Sequence, residues 1–192
     1  MLSVKQVSYQ NEKRGLFANM DWQANPGDII QLHGENGSGK STLLKMIAGF
    51  VRPSSGCILW HELPVWKHLV PCYVAHELGL SESLTVAENL QWMASLHRFS
   101  LSTEQQDTIL TRIGLLAYQH CHPTDLSRGM RQRLALAPLI LSQSALWLLD
   151  EPATGLDQMG IQLLMALLAS FQAKRGITVL TSHQALPVEG VR

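Results

Sequence analysis

The chain has 192 residues, 46% of them hydrophobic, which is enough for one α/β core and a small subdomain. Lys and Arg number 15 and Asp and Glu 15, so the formal charge is zero and the basic footprint of a general nucleic-acid binder is missing. No uninterrupted apolar run approaches a membrane span, and Met1-Leu2-Ser3-Val4-Lys5-Gln6-Val7 alternates like a strand instead of forming a signal-peptide core. The chain is therefore expected in the cytosol, with any membrane role exerted through a partner.

After that first strand, Asp28 to His33 reads as a buried strand with His33 packed, and Thr42 to Ala48 reads as a helix. Between them runs Gly34-Glu35-Asn36-Gly37-Ser38-Gly39-Lys40-Ser41-Thr42, which matches G-x-x-x-x-G-K-[ST]. Glycines at these positions let backbone N–H groups turn inward around phosphate oxygens. Lys40 is placed to reach the β- and γ-phosphates, and Ser41 to ligate Mg²⁺. The positive end of the following helix points at the same phosphates. Gly49 reads as the helix stop and Pro53 prevents continuation. Gly56 to Trp60 and Val70 to Val74 read as strands.

From about residue 77 to 142 the pattern turns helical. Thr85-Val86-Ala87-Glu88 is a capping box that starts one helix at Thr85. Thr103-Glu104-Gln105-Gln106 opens a second, which Gly114 ends, and Ser127 is the N-cap of a third. His120-Cys121-His122 offers metal-binding atoms, but adjacent residues rarely converge on one ion, so a polar loop is the preferred reading. Cys57, Cys72 and Cys121 are widely spaced and read as reduced thiols.

The last third returns to α/β. Ala145 to Leu149 is an apolar strand that runs into Asp150-Glu151. An acidic pair at the C-terminal end of a buried strand lies where open α/β sheets bind ligands. Asp150 is assigned to the Mg²⁺ shell and Glu151 to the attacking water. A helix follows from about Gln158 to Ala173, then Gly176 as its cap and a strand from Ile177 to Leu180.

Four motifs in order carry a family resemblance. Besides the phosphate loop these are Leu126-Ser127-Arg128-Gly129-Met130 with Gln132-Arg133 after it, Asp150-Glu151-Pro152-Ala153-Thr154-Gly155-Leu156-Asp157, and Thr181-Ser182-His183. Over essentially the whole chain the sequence resembles the nucleotide-binding domains of ABC transporters. The resemblance implies a single domain over 1–192, with a P-loop NTPase α/β core, a mixed sheet and a helical subdomain inserted at about 77–142. It implies ATP with Mg²⁺, and a working head-to-tail homodimer. Each ATP would lie between Gly34–Thr42 of one chain and Ser127 and Gly129 of the other. Glu151 would position water, His183 would contact the γ-phosphate, and Asp157 would link the two sites. Integral membrane subunits would be the partners, docked on the helical subdomain, with no nucleic acid involved. The chain would then sit peripherally on the cytoplasmic face of the inner membrane.

Within that family the chain looks most like the ATP-binding subunits of heme exporters of cytochrome c biogenesis. It is short for the family. Tyr73-Val74-Ala75-His76 puts a histidine where most relatives carry a glutamine that touches Mg²⁺ or the attacking water, and His183-Gln184-Ala185-Leu186 resembles that branch's ending. Departures are Arg128 and Met130 in the signature, and Pro138, which should kink or end the signature helix. The adenine-stacking aromatic aligns near Asn11, leaving Tyr9 as the candidate, and Trp60, Trp66 and Trp92 read as core or interface. Rival readings are the ATPase of another small ABC transporter, a soluble ABC ATPase, and a subunit that holds nucleotide without turnover. Intact Glu151 and His183 count against the last.

Overall fold

Strand β1 (Leu2–Asn11) buries Leu2, Val4 and Val7 completely, and the spacing of these apolar residues changes phase between Val4 and Val7. The cause is a bulge. Gln6 takes φ +49 and the register with both neighbouring strands shifts there, so the inward face passes from even to odd positions. Gly56 faces the bulge at φ +79, where an added Cβ would lie 2.3 Å from the Gln6 carbonyl oxygen. This computed structural model describes residues 1–11, 14–68, 70–97 and 99–182. They form two compact units: Met1–Tyr73 with Ser144–Glu151 and the chain from Leu168 onward, and Val74–Gln143 with Pro152–Leu167.

The first unit holds β1, β2 (Arg14–Ala24), β3 (Ile29–Leu32), helix α1 (Lys40–Ile47), β4 (Ser55–Trp60), β5 (Leu63–Pro64) and the short α2 (Val65–His68). An antiparallel sheet has the order β2-β1-β4-β5. A second sheet has the order β3-β8-β7-β6, formed with β6 (Cys72–Val74), β7 (Leu146–Asp150) and β8 (Ile177–Thr181); β3, β8 and β7 run parallel. The expected mixture of strand directions is thus divided between two sheets. All five residues of β7 and of β8 are buried, as mostly apolar strands in a covered parallel sheet should be. Leu43, Leu44, Met46 and Ile47 of α1 pack in one core with Val4 and Ile58 of the first sheet and Leu148 and Val179 of the second.

The second unit contains α3 (Val86–Leu96), α4 (Thr103–Arg112), α5 (Arg128–Ala135), α6 (Ala137–Leu141) and the first turns of α7 (Gln158–Ala173). Thr85 and Glu88 form the expected capping box, and Ser102 with Gln105 forms a second one before α4. Asn89, fully buried, accepts the Ser81 N–H at 2.9 Å and donates to the carbonyls of Ser81, Leu84 and Thr85, which pins the segment leading into α3. Pro138 acts as expected: α5 stops at Ala135 and α6 restarts with the proline in its first turn.

Two local expectations change. β3 ends at Leu32, and His33 is exposed, because the chain turns there into the phosphate loop. After α7 the left-handed residue is Arg175 (φ +62), not Gly176. The glycine is needed instead for close approach, since a Cβ on it would lie 2.3 Å from the Phe171 ring.

Candidate nucleotide site

The phosphate loop joins β3 to α1 within the first unit. Gly34, Gly37 and Gly39 take φ of +154, +77 and +97, which suits glycine alone among residues at so tight a turn. A Cβ at Gly34 would meet Ser38 Oγ at 2.7 Å, and one at Gly39 would meet the Phe17 ring at 3.0 Å. Gly39 is also the N-cap of α1 and supplies no side-chain hydrogen bond, so the leading N–H groups of the helix are left for an anion. Lys40 Nζ donates to the carbonyls of Gly34 (2.7 Å) and Glu35 (3.0 Å), which folds the ammonium over the loop. A bare glycine cradle, an uncapped helix start and a positioned ammonium fit a polyphosphate.

The acidic strand end meets this loop. Asp150, 5% exposed, accepts the Ser41 hydroxyl at 2.9 Å and the Thr181 hydroxyl at 2.8 Å, both on Oδ1. Thr181 Oγ1 in turn accepts the Glu151 N–H at 2.8 Å. Glu151 takes φ +53, left-handed backbone that costs a non-glycine residue about 1–3 kcal/mol and that gathers at functional sites. A hydroxyl beside a carboxylate is a hard-oxygen donor set of the kind Mg²⁺ takes. The Tyr73 phenol is driven up to about 12, by burial first and the Asp150 charge second. Its hydroxyl is buried with no hydrogen-bond partner among the described residues.

The other sequence-predicted residues lie in the second unit. Ser127 caps α5 by accepting the Met130 N–H at 3.3 Å, which leaves its own O–H to donate elsewhere. Arg128 does not project from the helix start alone: its guanidinium lies against Gly155, where a Cβ would come within 2.6 Å of Nε. Gln132 donates to the Thr154 carbonyl. Arg133, 6% exposed, donates to the Ile113 carbonyl and pairs with Asp157 at 3.4 Å. Asp157 accepts the Gly160 N–H at 2.8 Å, so it caps the start of α7, and Gly129 packs on it so closely that a Cβ would sit 2.9 Å from Oδ2. His76 is exposed and lines a cavity of ~460 Å³ with Glu77, Arg128, Arg131, Gln132 and Thr154. His183 falls outside the described residues.

The structure therefore joins Lys40, Ser41, Asp150 and Glu151 in one unit and gathers Ser127, Gly129 and Asp157 in the other. Thr181 had been visible only as one letter of the Thr181-Ser182-His183 motif. Its signal was a hydroxyl at the end of a mostly apolar strand. Phe17 was missed too. It lies 6.3 Å from Tyr9, ring centre to ring centre, and walls a ~410 Å³ cavity beside the phosphate loop with Met20, Trp22 and Lys40. Cys57, Cys72 and Cys121 are free thiols. His122 directs Nδ1 to the Glu82 carbonyl oxygen at 3.3 Å and heads a 3₁₀ turn.

A phosphate loop whose serine meets an acidic pair on a parallel strand defines a P-loop nucleotide hydrolase. The particular family follows from comparison with known proteins. The ABC transporter family model matches residues 17–154. A cytochrome c biogenesis ATP-binding export protein CcmA from Pseudomonas aeruginosa is 38% identical over 98% of this chain and 96% of its own length. The CcmA of Vibrio parahaemolyticus is also 38% identical, over 96% and 92%. An ABC transporter ATP-binding protein from Pyrococcus furiosus superposes with a TM-score of 0.86 at 23% identity, covering 99% of this chain and 94% of its own, which bears on the fold. The chain belongs to the ABC transporter family and is an ABC-type ATPase domain.

Proposed function

We propose that the chain hydrolyses ATP to drive an export step of cytochrome c biogenesis, as the subunit that supplies energy to integral membrane partners. The observation that supports turnover is the hydrogen-bonded series Ser41–Asp150–Thr181–Glu151 at the mouth of the phosphate loop. The export role rests on the full-length similarity to the CcmA proteins, and heme as cargo on the resemblance carried by Tyr73-Val74-Ala75-His76.

In this reading Gly34 to Thr42 wraps the β- and γ-phosphates, with Lys40 leaving its two carbonyls for phosphate oxygens. Ser41 and Asp150 would hold Mg²⁺, which when bound neutralises phosphate charge. Glu151 orients a water and takes its proton as the water's oxygen bonds to the γ-phosphorus, while the bond to the β–γ bridging oxygen breaks and ADP leaves. Ser127 O–H and the N–H groups of Arg128 and Gly129 face the γ-phosphate of a second copy, an anion site of the helix N-terminal kind. His76 and His183 complete the γ-phosphate surroundings, and Asp157 adds to its α7 cap a role in linking the two copies. Loss of the γ-phosphate then opens the dimer, and the membrane subunits register the change as a population shift. The working location is the cytoplasmic face of the inner membrane; among the described residues no helix is long and apolar enough to cross it.

Two variants test the chemistry. Lys40→Ala should lose ATP affinity in equilibrium binding. Glu151→Gln should keep affinity, lose turnover by roughly 10²-fold and accumulate an ATP-bound dimer on gel filtration. Normal hydrolysis by Glu151→Gln would remove Glu151 from the mechanism. For the branch, deletion of the gene should abolish c-type cytochromes while sparing b-type ones, and the tagged chain should co-purify with multi-span membrane proteins. Cytochromes c at normal levels would shift the assignment to another small transporter.

A further inference from the structure

The geometry points to Thr181 as a positioning residue for hydrolysis, whose hydroxyl fixes both the Asp150 carboxylate and the turn of the Glu151 backbone. This rests on the assignment of Glu151 to the attacking water. Thr181 closes β8, the strand between β3 and β7, and its register partners on the two sides are Leu32 and Asp150. It thus stands in the same row as the last residue of β3 and the first of the acidic pair.

The roles of the hydroxyl are dictated by its neighbours. A carboxylate oxygen accepts, so the Thr181 proton goes to Asp150 Oδ1 at 2.8 Å. The backbone N–H of Glu151 donates, so a lone pair of Thr181 Oγ1 receives it at 2.8 Å. Thr181 is 0% exposed, and water cannot readily stand in for it. Glu151 holds φ +53 against its own preference, and its backbone N–H is anchored on the Thr181 hydroxyl of β8. Loss of that anchor removes one bond that holds the strained turn, and a shift of the turn carries the Glu151 side chain with it. Ser41 would still meet Asp150, so nucleotide binding should survive the loss. Threonine suits the position because its methyl fills a buried strand site while its hydroxyl makes the two bonds.

The test compares Thr181→Val, which keeps shape and removes the hydroxyl, with Thr181→Ser, which keeps the hydroxyl, in the full chain. Single-turnover hydrolysis and ATP affinity with and without Mg²⁺ are measured, together with amide hydrogen exchange at Glu151. Thr181→Val should lower the hydrolysis rate about 10- to 100-fold, the size expected for a lost bond to a charged group. Its ATP affinity in EDTA should stay within about twofold, and exchange at the Glu151 amide should accelerate. Thr181→Ser should restore both rate and protection to within about threefold of wild type. Thr181→Ala serves as the hydroxyl-free variant should valine fail to fold. A hydroxyl-free variant that hydrolyses at the wild-type rate overturns the proposal, as does a serine variant as slow as the hydroxyl-free one. An unprotected Glu151 amide in the wild-type chain overturns it without any variant. If Glu151→Gln hydrolyses normally while the Glu151 amide is protected through Thr181, the hydrolysis assignment fails and the contact stands.

Discussion

At the scale of single residues, the phosphate-loop region mixes groups that satisfy each other with one that does not. Ser41, Asp150, Thr181 and the Glu151 N–H form a closed set of donors and acceptors. The Tyr73 hydroxyl is buried beside them with no hydrogen-bond partner among the described residues, which costs about 1–3 kcal/mol relative to a satisfied group. Tyr73→Phe should therefore unfold at the same or a slightly higher temperature at pH 7. The two proteins should part at high pH. The folded phenol holds its proton until about 12 while the unfolded one releases it near the ordinary value of 10.0. The wild type accordingly keeps this contribution in full below about pH 10 and loses it as pH rises through about 12. Tyr73→Phe should lack that part of the alkaline decline in a chemical-denaturation series, and parallel declines would contradict the burial of the phenol.

At the scale of elements, what could be read from the sequence was what local chemistry decides. The Thr85–Glu88 box spans four residues, so its partners are near each other in the sequence, and the same holds for Gly114 (φ +68) after α4 and for Pro138 in the first turn of α6. The Gln158–Ala173 helix was bounded correctly because its apolar period is long and uninterrupted. The β1 bulge, the Arg128–Gly155 contact and the Thr181 bonds were not legible, since each depends on a partner far away in sequence. His33 was misjudged because the strand's apolar run does not reveal where the loop begins to turn. The candidate site itself was legible to the extent that motif residues carry it; their hydrogen-bond order was not. The capping box offers a test at this scale. Thr85→Ala should destabilise the protein by ~1 kcal/mol in thermal or urea unfolding at pH 7. The Thr85 backbone N–H, and then its hydroxyl, hold the Glu88 carboxyl below its usual range. Stability from that source is present above the unfolded value and is lost as pH falls through the folded one. The wild type should thus lose more stability than Glu88→Ala on acidification, and equal acid sensitivity would show that the box contributes nothing.

At the scale of the whole molecule, the groups assigned to nucleotide chemistry are divided between two compact units, and each unit also carries exposed apolar side chains. Phe50 (68% exposed), Trp66 (46%) and Val70 (85%) belong to the first; Trp92 (42%) and Leu96 (65%) belong to the second. A chain with zero formal charge has little long-range repulsion to keep such surfaces apart, so partner proteins are the natural cover. Arg128 is already engaged with Gly155, and in the proposed reading the second face of the ATP site comes from another copy. The isolated chain should therefore hydrolyse ATP slowly and run as a monomer or weak dimer, and co-expressed membrane subunits should raise the rate. A fast ATPase in the absence of any partner would favour a soluble ABC ATPase. Light scattering and steady-state turnover on the same preparations distinguish the two.

The left-handed turn at Glu151 sets stability and activity against each other at one position. Glycine would occupy φ +53 without steric penalty and could still present the N–H to Thr181. Glu151→Gly should then melt at or above the wild-type temperature while hydrolysing no ATP. A directed-evolution screen scored on thermal tolerance alone would admit that change, and a screen scored on transport would reject it. A glutamate kept in a conformation that glycine prefers is the mark, in sequence variation, of a residue retained for its chemistry.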